Sequence, residues 1–360
     1  MQKSDTTSMQ QRKATNSMSY GKYLLWIGLF GLFWTCQKEP SVTAVIPSFY
    51  HWQTDFNLAD TELNYLKSLK VNRLYCKFFD VDWAAGEAFP TATIQWSASA
   101  EGFAIVPTVF ITNRTLRAIF NSQLDTLALK IAQKIQRLAP PQGFQEVQFD
   151  CDWSETSRGT YFELLRLLKL HFPTKILSAT IRLHQVKFFE QTGVPPIDRG
   201  LLMCYNVGKL EAWTSANSIL DTTILKQYLY NFERYPLPLD IALPIFHWGL
   251  VFRKERLLRI MNNLSMADLR DARRFRAISK DSTRFELVRN TYLNGHYLYQ
   301  GDRLRLESVS YSTLQAAARH LHAQLPPSQD LHIAFYHLDT ATIQRYPYEQ
   351  LEQLLYIFEQ

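Results

Sequence analysis

Long uncharged runs, clustered cysteines and basic tracts are all scarce in these 360 residues, and each absence removes a class of protein. The four cysteines include no Cys-x-x-Cys pair, so neither a disulfide framework nor a thiolate metal cluster organises the chain. The apolar run at residues 23–35 falls short of the about 20 residues that a membrane span needs. The net charge is +6, and Lys3, Arg12, Lys13 and Lys22 against Asp5 account for half of it; no basic tract remains to hold nucleic acid. No Gly-x-Ser-x-Gly elbow, phosphate-binding loop or dinucleotide fingerprint is present, and no His-x-His or His-Glu-x-x-His spacing involves His184, His247 or His337, which argues against the common hydrolase, nucleotide and redox sites and against a metal held by those histidines with the acidic pair. No cofactor is expected. What is present is a hydrophobic content of 46%, too high for a disordered chain and enough for a sizeable core.

Residues 1–22 are polar and cationic, and the apolar run that follows ends at Cys36. This is the layout of a secretory leader, and it resembles a bacterial lipoprotein signal, with the small Thr35 before the cysteine and the polar Gln37-Lys38-Glu39-Pro40 after it. The resemblance implies a signal peptide over 1–35, a lipidated Cys36, a tether over 36–42, and a mature protein held to a membrane of the bacterial cell envelope by acyl chains such as palmitate. An uncleaved anchor and ordinary secretion are the other readings of the same segment.

From residue 43 to 360, short β-rich runs alternate with longer helical ones. The runs are Thr43–Tyr50, Arg73–Phe79, Ala104–Ile111, Glu146–Asp150, Ile176–Ile181, Leu201–Tyr205, Asp240–Phe246 and Leu331–Tyr336; helices are expected at Ala59–Lys70, Gln123–Leu138, Arg158–His171 and Ser312–Leu325. Eight runs in strand-then-helix order predict an α/β protein, a (β/α)8 TIM-type barrel. The seventh gap is too long for one helix, and the alternation around Asn294-Gly295 and over Arg303–Val309 predicts a small α+β insertion at about 250–308.

Barrel enzymes carry their sites at the carboxyl ends of the strands. Those ends hold Lys77, Asp80, Asp82 and Trp83 (strand two), Asp150, Asp152, Trp153 and Glu155 (four), Arg182 and His184 (five), Tyr205 and Asn206 (six), His247 and Trp248 (seven), and Tyr336, His337 and Asp339 (eight). Asp150 and Asp152 are two apart and share one side of a strand. Paired carboxyls beside aromatic rings suit glycosidic chemistry, in which one protonates the leaving oxygen and the other steadies an oxocarbenium-like centre while the rings hold sugars. Asp152 or Glu155 is then the candidate acid and Asp150 its charge partner. The same aspartates could instead cap helices or pair with Arg182 or Lys77, and the aromatics could fill the barrel rim.

The segment Phe149-Asp150-Cys151-Asp152-Trp153 resembles strand four of family 18 glycoside hydrolases, the chitinase-like barrels, whose pattern is Asp-x-x-Asp-x-Asp-x-Glu. Asp150 and Asp152 match its second and third acidic positions; Val147 stands at the first, and Ser154 where the family's general-acid Glu belongs, with Glu155 one residue late. The chain is also similar to bacterial lipoproteins with a glycoside-hydrolase-like barrel that share Phe-Phe-Asp-Val-Asp-Trp in strand two and Asp-x-Asp in strand four, a family that implies no established activity. The resemblance implies a glycan or glycoconjugate partner, with a non-catalytic glycan- or protein-binding barrel as the alternative.

Overall fold

The computed structural model describes residues 44–230, 232–325 and 330–360. The expected leader over 1–35, Cys36 and the expected tether over 36–42 lie outside the described residues.

Eight parallel strands close into a barrel: Ala44–His51, Arg73–Ala84, Ala104–Ile111, Glu146–Asp150, Ile176–Arg182, Arg199–Met203, Leu239–Pro244 and Asp330–Tyr336. Each pairs with its sequence neighbours, and strand one pairs with both strand two and strand eight, so no edge is left open. This is the (β/α)8 architecture that the alternation predicts. Its helices follow from spacing. Leu124–Leu138 buries Leu124, Leu127, Ala128, Ile131, Ala132 and Ile135, one stripe at helical period. Arg158–His171 buries Tyr161, Leu164, Leu165 and Leu168 in the same way. Tyr311–His322 begins where the Ser310 hydroxyl accepts the Thr313 N–H at 3.1 Å.

The alternation breaks at strand two, which continues past its expected end at Phe79 to Ala84 because Glu87–Thr91 folds back on it antiparallel. A hairpin thus takes the place of a helix before strand three.

Strand seven stops at Pro244, and His247 and Trp248, expected at its end, instead open the first strand of the insertion. That strand, His247–Arg253, lies in a five-stranded antiparallel sheet between Arg256–Asn262 and Arg303–Ser308, followed by Arg284–Leu287 and Phe275–Ala277. A separate hairpin turns at Asn294-Gly295, and the helical content among these residues is one 3-10 turn, Met266–Leu269. The insertion has its own core, built on Val251, Met261, Leu264, Phe275, Phe285 and Leu304.

No described helix is long and apolar enough to cross a membrane.

Candidate active site

Strand alternation stacks polar side chains through the barrel interior. On strand four Glu146, Gln148 and Asp150 face one way, and on strand five Ser178, Thr180 and Arg182 face them. Glu146 accepts from Ser178 at 2.6 Å and pairs with Arg73; Gln148 accepts from the Tyr50 hydroxyl at 2.6 Å. Asp150, next up, accepts from the Thr180 hydroxyl at 2.6 Å. Tyr50 is thereby part of the packed interior.

Asp150 is only 7% exposed. Burial pushes its carboxyl up to about 6; the Thr180 hydrogen bond and Arg182 oppose this, while the charges of Asp152 and Asp80 add to it. Asp152, just past the strand, is ion-paired to Arg182 at 2.5 Å. Asp80 accepts from the Lys77 ammonium at 3.2 Å, and burial raises its pKa against the pull of that lysine. Lys77 also sits 5.7 Å from the Trp52 ring centroid.

These groups line a cleft of about 590 Å³ at the carboxyl ends of the strands, a size within the range of about 300–1,000 Å³ usual for small-ligand sites. Of the residues singled out from the sequence, Lys77, Asp80, Asp150, Asp152, Arg182, Tyr205, Asn206, Trp248 and Tyr336 all line it, with Trp52, His337 and Asp339. Tyr205 stacks on Tyr336 at 5.2 Å between centroids, and Trp52 meets Tyr336 edge-on at 5.7 Å. Asn206 adopts a positive φ of 55°, a conformation asparagine tolerates better than most residues. His337 Nε2 meets the Asp339 carboxylate at 2.5 Å; hydrogen bonds from His337 and Thr342 overcome the upward push of burial and hold Asp339 at about 2.

Six of the expected residues are not in the lining. Trp153 points with Cys151 to the outer side, where it stacks on Tyr161 at 5.3 Å. Asp82 is turned to Arg114 and to the Thr112 hydroxyl at 2.9 Å, and the Arg114 hydrogen bond holds its pKa down. Trp83 follows the hairpin to a separate hollow beside Glu87 and Ile119. His184 is exposed on the short helix Leu183–Lys187, and Glu155 is exposed in the turn before the strand-four helix. His247 is buried, and burial lowers its pKa to about 4, with Arg345 adding to the effect.

Sequence reading did not single out Gln53, Phe110, Met203, Phe246, Asn262 and Asn263, which complete the wall. Asn262 and Asn263 come from the insertion, and no motif marks them. Among the described residues, no group of three or more His, Cys, Asp or Glu side chains is arranged to hold a metal ion.

With this geometry in view, comparison with solved structures is informative about the fold. The barrel is similar to those of chitinases. The Chromobacterium violaceum chitinase superposes with a TM-score of 0.52 at 12% identity, over 87% of this chain and 99% of that one. The Ostrinia furnacalis Group IV chitinase gives 0.52 at 9%, over 88% and 100%. The Bacillus cereus spore cortex-lytic enzyme SleL gives 0.54 at 14%, over 88% and 75%. No protein-family model and no curated protein matches the chain. At such identities the likeness is one of fold.

Proposed function

We propose that the chain takes a glycan into this cleft and cleaves a glycosidic bond, with Asp150 as the carboxyl that holds the proton and Asp152, fixed by Arg182, as the charge beside the developing oxocarbenium centre. One observation carries the reading: a buried carboxyl pushed up to about 6 stands in a cleft walled by Trp52, Tyr205, Trp248 and Tyr336. The assignment differs from the expected one because Asp152 is committed to Arg182 and Glu155 faces solvent. Fold neighbours named as chitinases and as a spore cortex-lytic enzyme support a glycan as the ligand class.

A second reading, glycan binding without turnover, is favoured by Ser154. It stands where the chitinase-like pattern carries its acid, and its hydroxyl is engaged with Thr156 at 3.0 Å and Ser157 at 3.3 Å.

The deciding experiment is a binding and turnover screen against chitin and other bacterial and host glycans, run beside Asp150→Asn, Asp152→Asn and Trp248→Ala. Turnover that disappears in Asp150→Asn while binding persists supports hydrolysis; binding without turnover in every form supports the second reading. Binding unaffected by Trp248→Ala removes the cleft assignment.

We further propose that the protein is an envelope lipoprotein anchored through Cys36, on the strength of the cationic leader, the apolar run and the polar segment after the cysteine. Mass spectrometry of the mature N-terminus should find an acylated cysteine; a chain retaining residues 1–35 overturns it.

A further inference from the structure

A second cavity, sharing no residue with the cleft, lies between the hairpin of strand two and the helix Leu124–Leu138. Its volume is about 290 Å³, at the lower edge of small-molecule sites. Phe79, Val81, Phe89, Pro90, Leu127 and Ile131 form its wall, and Pro90 brings no N–H of its own. The rim is of one sign. Lys130, Lys134 and Arg137 recur at positions i, i+4 and i+7 of the helix, which places them along one side of it, and no carboxylate lines the cavity. Glu87 lies in the adjoining hollow beyond Lys130. None of the three cations is ion-paired with a described residue. Lys134 leans over the Phe79 ring, 5.3 Å from its centroid, where burial and the nearby Arg137 lower its pKa. Three unneutralised cations beside an apolar slot form an arrangement that an anionic head on an alkyl chain completes, since the head supplies the missing counter-charge and the chain covers the wall.

We propose that this slot binds a medium-chain fatty carboxylate, its chain between the hairpin and the helix and its head against Lys130, Lys134 and Arg137. The site is independent of the glycan reading, because neither its residues nor its chemistry enters the cleft.

Isothermal titration of the full chain with octanoate, decanoate and dodecanoate tests it. Each added pair of methylenes should tighten binding about fifteen-fold, the increment for burying two such groups. Decyltrimethylammonium, with the same chain length and the opposite charge, should bind at least about tenfold more weakly than decanoate. Lys130→Gln combined with Lys134→Gln should weaken decanoate by about tenfold while leaving decanol unchanged. Phe89→Asp, on the half-buried hairpin strand, should abolish decanoate binding with the circular dichroism spectrum retained. The proposal is overturned by absence of decanoate binding, by equal affinity for the cationic amphiphile, by affinity that ignores chain length, or by variants that bind decanoate like the parent.

Discussion

The indole Nε1 of Trp248 donates to the carboxylate of Glu307 at 2.8 Å, which ties an aromatic wall of the cleft to the last strand of the insertion. The same carboxylate accepts from Ser218 at 2.5 Å and is ion-paired with Arg305 at 2.7 Å, both partners of that pair being almost wholly buried. The insertion therefore sets the position of a ring that faces the candidate substrate.

Glu307→Ala should be strongly destabilising, because it leaves the buried Arg305 guanidinium without a counter-charge. The expected cost is about 3–5 kcal/mol, read as a lower urea midpoint. Cost near zero would mean that Arg305 is neutralised some other way.

Asp150 makes stability depend on pH with a defined sign. Its folded pKa, about 6, lies above the ordinary value of 3.8, so the native state holds its proton more tightly than the unfolded chain does. Stability from this group is full below about pH 4 and is lost as pH rises through about 6, a change of roughly 3 kcal/mol. His51 and His247, both lowered to about 4 by burial, act in the opposite direction, costing stability as pH falls from about 6.5 through 4. The measurement is therefore a difference: Asp150→Asn should gain on the parent steadily between pH 4 and 7 in chemical denaturation. Parallel curves would show that the carboxyl titrates normally.

Gly249 lies beside Trp248 in the first strand of the insertion, where an added Cβ would meet Leu264 Cδ2 at 2.2 Å and its Cβ at 3.1 Å. Gly249→Ala should cost about 1–3 kcal/mol by overpacking. Leu264→Ala in the same chain should relieve part of that cost, and strictly additive losses would place the clash elsewhere.

Asp339 accepts from the Thr342 N–H at 2.7 Å and caps the turn Thr340–Ile343 while holding His337. Asp339→Ala should cost about 0.5–2 kcal/mol. Because its carboxyl is held at about 2, below the ordinary value, its contribution is present above about pH 4 and fades as pH falls through 2. The parent and the variant should thus converge in thermal melts toward pH 2.

Whereas the ladder of Glu146, Gln148 and Asp150 beneath it was not read, the acidic pair at the end of strand four was legible in the sequence because Asp150 and Asp152 are two residues apart at a strand end. The barrel was legible for the same reason: the alternation of β-rich and helical runs depends on local pattern. The sorting of strand-end residues into cleft and rim was not. Trp83 and Asp82 leave the cleft because a hairpin, in place of a helix, carries strand two outward. Trp153 leaves it because Tyr161, on the following helix, offers its ring a stacking face.

The sequence by itself thus determined the eight strands, their order and the acidic end of strand four, since each is a matter of periodicity along the chain. Tertiary structure alone decided which carboxyl is buried and protonatable and which is ion-paired. That choice depends on Thr180 and Arg182 of strand five arriving beside Asp150 and Asp152, a contact between residues 30 positions apart that burial and charge resolve only once the barrel has closed.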